Sequence, residues 1–258
     1  MVNLKKYNVL LQHFVLFLTF AGFISCSQQR NVVTRIEGKQ ININNSFAES
    51  PSIESFIKPY RENIDKDLSE FLAIAPHNID KIGEWQTPIG NLMADVVIEK
   101  GNPILKARKN VNIDFCLLNH GGIRAIIAKG NVTARNAFEI MPFENSLIVV
   151  AMKGTAILEI PTYIIKEQKP HPLSGITFTI DKNKMAKNIQ IQGKPLDENK
   201  TYYVATSDYL ANGGDKMTFF KNNSDKIDLD YKLRNILIDY FKEVDTIPLV
   251  LDKRIIVE

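Results

Sequence analysis

Histidine and cysteine are scarce in this chain, four and two among 258 residues. The histidines (His13, His77, His120 and His171) never stand two apart, and His120, though preceded by Asn119, is followed by Gly121. Clamping catalytic metal ions takes several converging His, Asp and Asn ligands, so no metal site is expected and no catalytic residue is assigned. Cys26 and Cys116 cannot make a disulfide framework. Cys116, inside an alternating apolar run, reads as a small core residue. There is no Walker loop, no Gly-x-Gly-x-x-Gly and no Gly-x-Ser-x-Gly. Repeats and low-complexity segments are missing too. A formal charge of +3, with both signs interspersed, excludes a patch of nucleic-acid scale.

Long apolar runs are confined to the N-terminus. Lys5 and Lys6 precede Val9 to Ile24, a run broken only by Gln12, His13 and Thr19 and ending among small residues. That is the plan of a secretory signal. Cys26 stands where a bacterial lipoprotein signal is cut and lipid attached, with Phe23 in place of the usual leucine of that box. A permanent transmembrane anchor is the alternative, although the run is short for a bilayer. Removing residues 1–26 takes away two lysines and no acid, so the charge falls from +3 to +1. Residues 27–50 are polar and read as a tether. The expected product is exported, periplasmic or on the cell surface, and lipid-anchored to a bacterial membrane.

A hydrophobic fraction of 45% with 24% charged residues is ordinary globular composition. Ile53, Phe56, Ile57, Tyr60, Ile64, Leu68, Phe71 and Leu72 recur at helical spacing, which predicts a helix with its stripe in the core. A second helix is expected over 88–97, with Pro88 at its entrance, and a short one over 133–139 capped by Thr133. An interrupted helix over 155–166, with a kink at Pro161, and a last helix over 230–241 complete the set. Strands are expected over 111–118, 146–152, 176–180, 189–191, 202–206 and 254–257, and residues 167–174 read as a loop. Helices interspersed with hairpin-like strands predict one α+β domain with a mixed sheet and packed helices.

Two stretches carry the functional signal. The first, Asn119-His120-Gly121-Gly122-Ile123-Arg124, ends a strand and is followed by Met141-Pro142-Phe143-Glu144-Asn145. Its glycines permit positive φ or close backbone approach, and Arg124 supplies a planar fork of donors. The second, Asn212-Gly213-Gly214-Asp215, closes the run from Tyr202 through Tyr209. On the residues alone each has a plainer reading: Phe143 and Tyr209 as packing, Asp215 as a turn stabiliser, His120 as a turn residue.

Together the stretches resemble the C-terminal, substrate-recognition domain of the 5'-nucleotidase family, over roughly residues 50–256. Its members carry Asn-x-Gly-Gly-Ile-Arg, then Pro-Phe, then Asn-(Phe/Tyr)-Leu-Ala-x-Gly-Gly-Asp. The resemblance implies that Phe143 and Tyr209 sandwich a nucleobase and that Asn119 hydrogen-bonds the base or its neighbourhood. It implies that Arg124 contacts ribose or phosphate oxygens, that Asp215 accepts from ribose hydroxyls, and that Gly122, Gly213 and Gly214 let the backbone approach. The chain departs from the family before the second helix. Relatives have an arginine there; Lys81-Ile82-Gly83-Glu84-Trp85-Gln86 stands in its place. Lys81 supplies charge without a fork, and Trp85 reads as a pocket wall or a surface aromatic.

The family's enzymes hold two metal ions in a separate N-terminal domain with Asp-x-His, Asn-His-(Asp/Glu) and His-x-His motifs, none of which occurs here. Three functional classes remain open. The chain is the recognition half of a split phosphohydrolase, whose partner metallophosphoesterase holds the divalent metals. Otherwise it is a surface lipoprotein that binds nucleosides or nucleotides without catalysis, or a scaffold that binds neither.

Overall fold

The computed structural model describes residues 4–23, 33–44 and 46–258. Cys26 and the expected cleavage region around it lie outside the described residues. The chain divides into two units, Met1–Pro51 and Ser52–Glu258. The first holds helix α1 (Leu4–Phe23). No helix among the described residues is long and apolar enough to cross a membrane.

The second unit runs α2 (Pro51–Leu68), β1 (Phe71–Ala75), α3 (Pro88–Lys109), β2 (Phe115–Leu117), β3 (Gly130–Thr133), α4 (Ala134–Ile140) and β4 (Ser146–Lys153). It continues through α5 (Gly154–Ile157), α6 (Glu159–Glu167), β5 (Leu173–Ser174), β6 (Ile176–Ile180), β7 (Ala186–Ile191), β8 (Lys194–Pro195) and β9 (Thr201–Ser207). Last come α7 (Asp208–Ala211), β10 (Asp225–Lys232), α8 (Leu233–Glu243) and β11 (Ile255–Val257).

A five-stranded sheet in the order β10-β4-β9-β2-β5 is the centre. Alternation along its strands builds two cores, one per face. Leu147, Val149, Cys116 and Ala205 point to one face, beside residues of α3, α4 and α8. Ile148, Val150, Met152, Phe115, Leu117 and Val204 point to the other, beside residues of α6 and β6. Cys116, on the α3 face, is fully buried, which pushes its thiol pKa up. A four-stranded sheet, β11-β6-β7-β8, and a β1-β3 pair complete the mixed α+β architecture.

Several expectations change. The helix foreseen over 53–72 stops at Leu68, and Phe71 and Leu72 belong to β1. Its apolar stripe is not core: Ile53, Phe56, Tyr60 and Ile64 are 55–70% exposed, and α2 has no buried residue. Helical periodicity reports one apolar face; it does not say whether a neighbour covers it. The helix expected to end at Val97 runs on to Lys109, through Pro103, because Gly101 and Leu105 bury in the core. It closes at Asn110, whose φ is 55°. Residues 155–166 break at Leu158, between α5 and α6, so that Pro161 lies in the first turn of α6, where its missing N–H costs little. Residues 230–232 belong to β10, whose Ile227 and Leu229 alternate with charged neighbours as an edge strand does. Leu173 and Ser174, expected as loop, pair with β2.

Arg254 ties these layers together. Its guanidinium donates to the Leu173 and Asn91 carbonyls at 2.5 and 3.2 Å, to Asp95 at 2.7 Å and to Asp252 at 3.0 and 3.1 Å. Asn91 and Asp95 thus anchor the C-terminal strand to α3.

Candidate functional site: an aromatic-walled cleft at one sheet edge

Strands β2 and β9 are parallel neighbours, Phe115 beside Val204 and Cys116 beside Ala205. Their C-terminal ends therefore leave the sheet at the same edge, the place where ligands meet parallel strands. Thr206 Oγ1 donates to the Leu117 carbonyl at 2.9 Å and pins the two exits together. Beyond β2 the chain makes a 3-10 turn, His120–Gly122. Beyond β9, Ser207 caps α7 by accepting from the Leu210 N–H, and so places Tyr209 at once. Strand β4 runs antiparallel to β9 with Leu147 opposite Ser207, so the segment entering β4, with Phe143, comes to that edge as well.

The three loops enclose a cleft of about 390 Å³ lined by Asn119, Gly121, Gly122, Arg124, Phe143, Asn145, Tyr209 and Asp215. Six of these, all but Gly121 and Asn145, are the residues singled out from the sequence. Phe143 and Tyr209 are 43% and 46% exposed and belong to neither core. Gly213 and Gly214 do not line the cleft. Instead, a Cβ at Gly214 would stand 2.5–2.6 Å from three Tyr209 ring carbons, so the bare Gly214 backbone lies under the ring. Gly213 supplies a φ of 86° that glycine adopts without strain. Gly214→Ala is expected to lift the Tyr209 ring off this backbone; a crystal structure of the variant checks this, and an unmoved ring would mean that it is not positioned by this contact.

Asn145 has no role in the sequence reading; its place beside Phe143 is the signal that could have found it. Phe143 is presented by a braced turn. Arg234, nearly buried on α8, stacks 4.1 Å from the Phe138 ring centroid, binds the Glu144 carboxylate and donates to the Pro142 carbonyl at 3.3 Å. That guanidinium holds the Glu144 carboxyl below the usual carboxylate range.

Charge gathers on the Arg124 side. Arg124 lies 6.0 Å from the Phe143 ring centroid and donates to the Gly121 carbonyl at 3.3 Å. Lys81 Nζ donates to the Ile123 carbonyl at 2.5 Å. Burial, and then the Arg124 guanidinium, hold the Lys81 ammonium below the usual lysine range. Trp85 is neither a wall of the cleft nor a surface aromatic: half-buried, it packs against the core on the α6 face. His120 serves the turn. Its N–H donates to His171 Nδ1 at 3.2 Å, and burial foremost lowers both imidazole pKa values, that of His171 to about 4. Among the described residues, no three His, Cys, Asp or Glu side chains gather as a metal site requires.

A mixed α+β domain with an open, two-ringed cleft at the ends of parallel strands defines the class. The model of the 5'-nucleotidase C-terminal domain matches residues 76–222, more than half of the chain, and the chain belongs to that family. An apyrase of Tabanus yao is 24% identical over 83% of this chain and 43% of its own length. A 5'-nucleotidase of Vibrio vulnificus is 28% identical over 70% of this chain and 32% of its own. The solved 5'-nucleotidase precursor of Thermus thermophilus superposes with a TM-score of 0.68 at 24% identity, over 79% of this chain and 42% of that one. The chain therefore spans less than half the length of these relatives, and its fold is that of their C-terminal domain.

Proposed function

We propose that this chain is the nucleotide-recognition half of a split 5'-nucleotidase-type phosphohydrolase, acting with a separate metallophosphoesterase in nucleotide catabolism. One observation carries the reading: two exposed rings, an amide, a guanidinium and a carboxylate border a single cleft. The base stacks between Phe143 and Tyr209, whose π-faces accept any base. Asn119 offers both donor and acceptor to the base or its neighbourhood. Asp215 accepts from ribose hydroxyls. Arg124, with Lys81 behind it, draws the phosphate outward toward the partner. Holding the non-reacting end of the substrate in this way orients the reacting end.

Among the described residues no three His, Cys, Asp or Glu side chains gather, and in this proposal the partner supplies the divalent ions. The exposed Ile53, Phe56, Tyr60 and Ile64 side chains of α2 offer such a partner an apolar surface. Calorimetry with adenosine and AMP tests recognition, with AMP expected to bind more tightly. Hydrolysis of AMP by the proposed metallophosphoesterase partner, with and without the chain added, tests the split. Equal rates in the two mixtures would end the split-enzyme reading.

Export and lipid anchoring at Cys26 form part of the same proposal. Mass spectrometry of the membrane fraction should find a diacylglyceryl cysteine at the mature N-terminus. Cys26→Ser should abolish it and release or mislocalise the protein; an unmodified Cys26 would remove the anchor from the proposal.

A further inference from the structure

Asp215, the carboxylate at the rim of the cleft, is held in an unusual way. Its φ of 50° and ψ of 27° lie in the left-handed region, which non-glycine residues adopt at a cost. Four hydrogen bonds fix it there. Its N–H donates to the Tyr209 hydroxyl at 3.1 Å, and that hydroxyl donates back to Oδ1 at 2.9 Å. Asn119 Nδ2 donates to Oδ2 at 2.7 Å. From outside the cleft, the Tyr163 hydroxyl donates to the Asp215 carbonyl at 2.7 Å.

Tyr163 belongs to α6 and is not part of the cleft; it lines a neighbouring cavity of about 340 Å³ with His120, His171 and Lys169. Its ring is fixed independently of its hydroxyl, edge-on to Phe219 at 5.6 Å and against His171 at 5.5 Å between centroids. Burial and then Glu167 push its hydroxyl pKa up to about 12, so it remains a proton donor at any ordinary pH.

A carboxylate offers about four acceptor directions, two per oxygen. Asn119 and Tyr209 occupy one on each oxygen, leaving one free on each. Two free acceptors side by side, on a carboxylate that cannot turn, match two hydroxyls on adjacent carbons.

We propose that Tyr163 is a positioning residue that sets selectivity for ligands with a vicinal diol, the ribose of a ribonucleoside, over their deoxy counterparts. It acts through the Asp215 main chain and touches no ligand. With the carbonyl released, Asp215 leaves the left-handed region part of the time, and its two free lone pairs no longer face the diol together. The inference rests on the reading of the cleft as a nucleoside site.

The test is calorimetry on the full chain with adenosine and 2',3'-dideoxyadenosine, comparing the unmodified protein with Tyr163→Phe, which keeps the ring and its packing. The unmodified chain should prefer adenosine by roughly 10–100-fold, as expected for hydrogen bonds to a charged acceptor. Tyr163→Phe should reduce that preference about fivefold or more, with dideoxyadenosine affinity and melting temperature unchanged. A preserved preference overturns the proposal. So does an equal loss of both affinities or a lowered melting temperature, since either marks a general structural role. If the unmodified protein binds both ligands equally, the diol assignment fails while the cleft reading stands. If it binds neither, the cleft reading itself fails and takes the inference with it.

Discussion

Phe143→Ala is expected to weaken adenosine binding by roughly 5–150-fold, equivalent to about 1–3 kcal/mol for one stacked face. Tyr209→Ala should weaken it by at least as much, because it also releases Asp215 from the Tyr209 hydroxyl. The two rings arrive from different loops and, in the proposed stack, lie on opposite faces of the base, so their losses should nearly multiply in the double variant. Neither ring belongs to a core, and both are almost half exposed. Removing them opens no internal cavity, and the urea midpoint should hardly move. That separates recognition from folding. An affinity that changes less than twofold in both single variants would show that the base is not held between these rings.

The largest effect on stability is expected from Arg254→Met, a loss of about 3 kcal/mol measured by urea unfolding. Arg254 is 5% exposed and spans α3, β5 and the segment before β11 through Asn91, Asp95, Leu173 and Asp252. Truncating one partner of a buried ion pair leaves the other partner's charge uncompensated, which ordinarily costs about 3–5 kcal/mol. The lower end applies because the Asp95 and Asp252 side chains keep 38% and 58% of their exposure and can hydrate. Adding Asp95→Asn to Arg254→Met should recover part of the loss. A double variant no more stable than Arg254→Met alone would place the effect in the lost carbonyl contacts rather than in the charge.

The same residues show how far the sequence can be read. In the sequence Asn91 and Asp95 are only polar residues of the helix expected at Pro88. In the folded chain Asn91 and Asp95 serve a strand more than a hundred and fifty residues away in sequence. Nothing local in either segment announces the other. Helix α2 teaches the complementary lesson. Its apolar spacing is plain, but the inference that such a stripe must be buried needs a neighbour that the tertiary structure does not provide. β10 escapes the sequence reading although Ile227 and Leu229 alternate with charged residues, because an edge strand carries its polar half on the surface and has the composition of a loop.

By itself the sequence determined the family, the α+β class, the alternation that assigns Cys116 and its neighbours to opposite faces, and the identity of most side chains around the cleft. The class and the faces follow from short-range chemistry, period-two burial and glycines ending strands, while the family and the cleft residues follow from the resemblance that the Asn-x-Gly-Gly-Ile-Arg, Pro-Phe and Gly-Gly-Asp motifs carry. Their convergence was decided only by the tertiary structure. The parallel pairing of β2 with β9 and the antiparallel register of β4 bring three loops to one sheet edge. The Tyr209 hydroxyl, Asn119 and Tyr163 then settle how Asp215 is turned. Strand pairing and carboxylate orientation depend on partners far away in sequence, and no local pattern specifies which distant strand or hydroxyl will arrive.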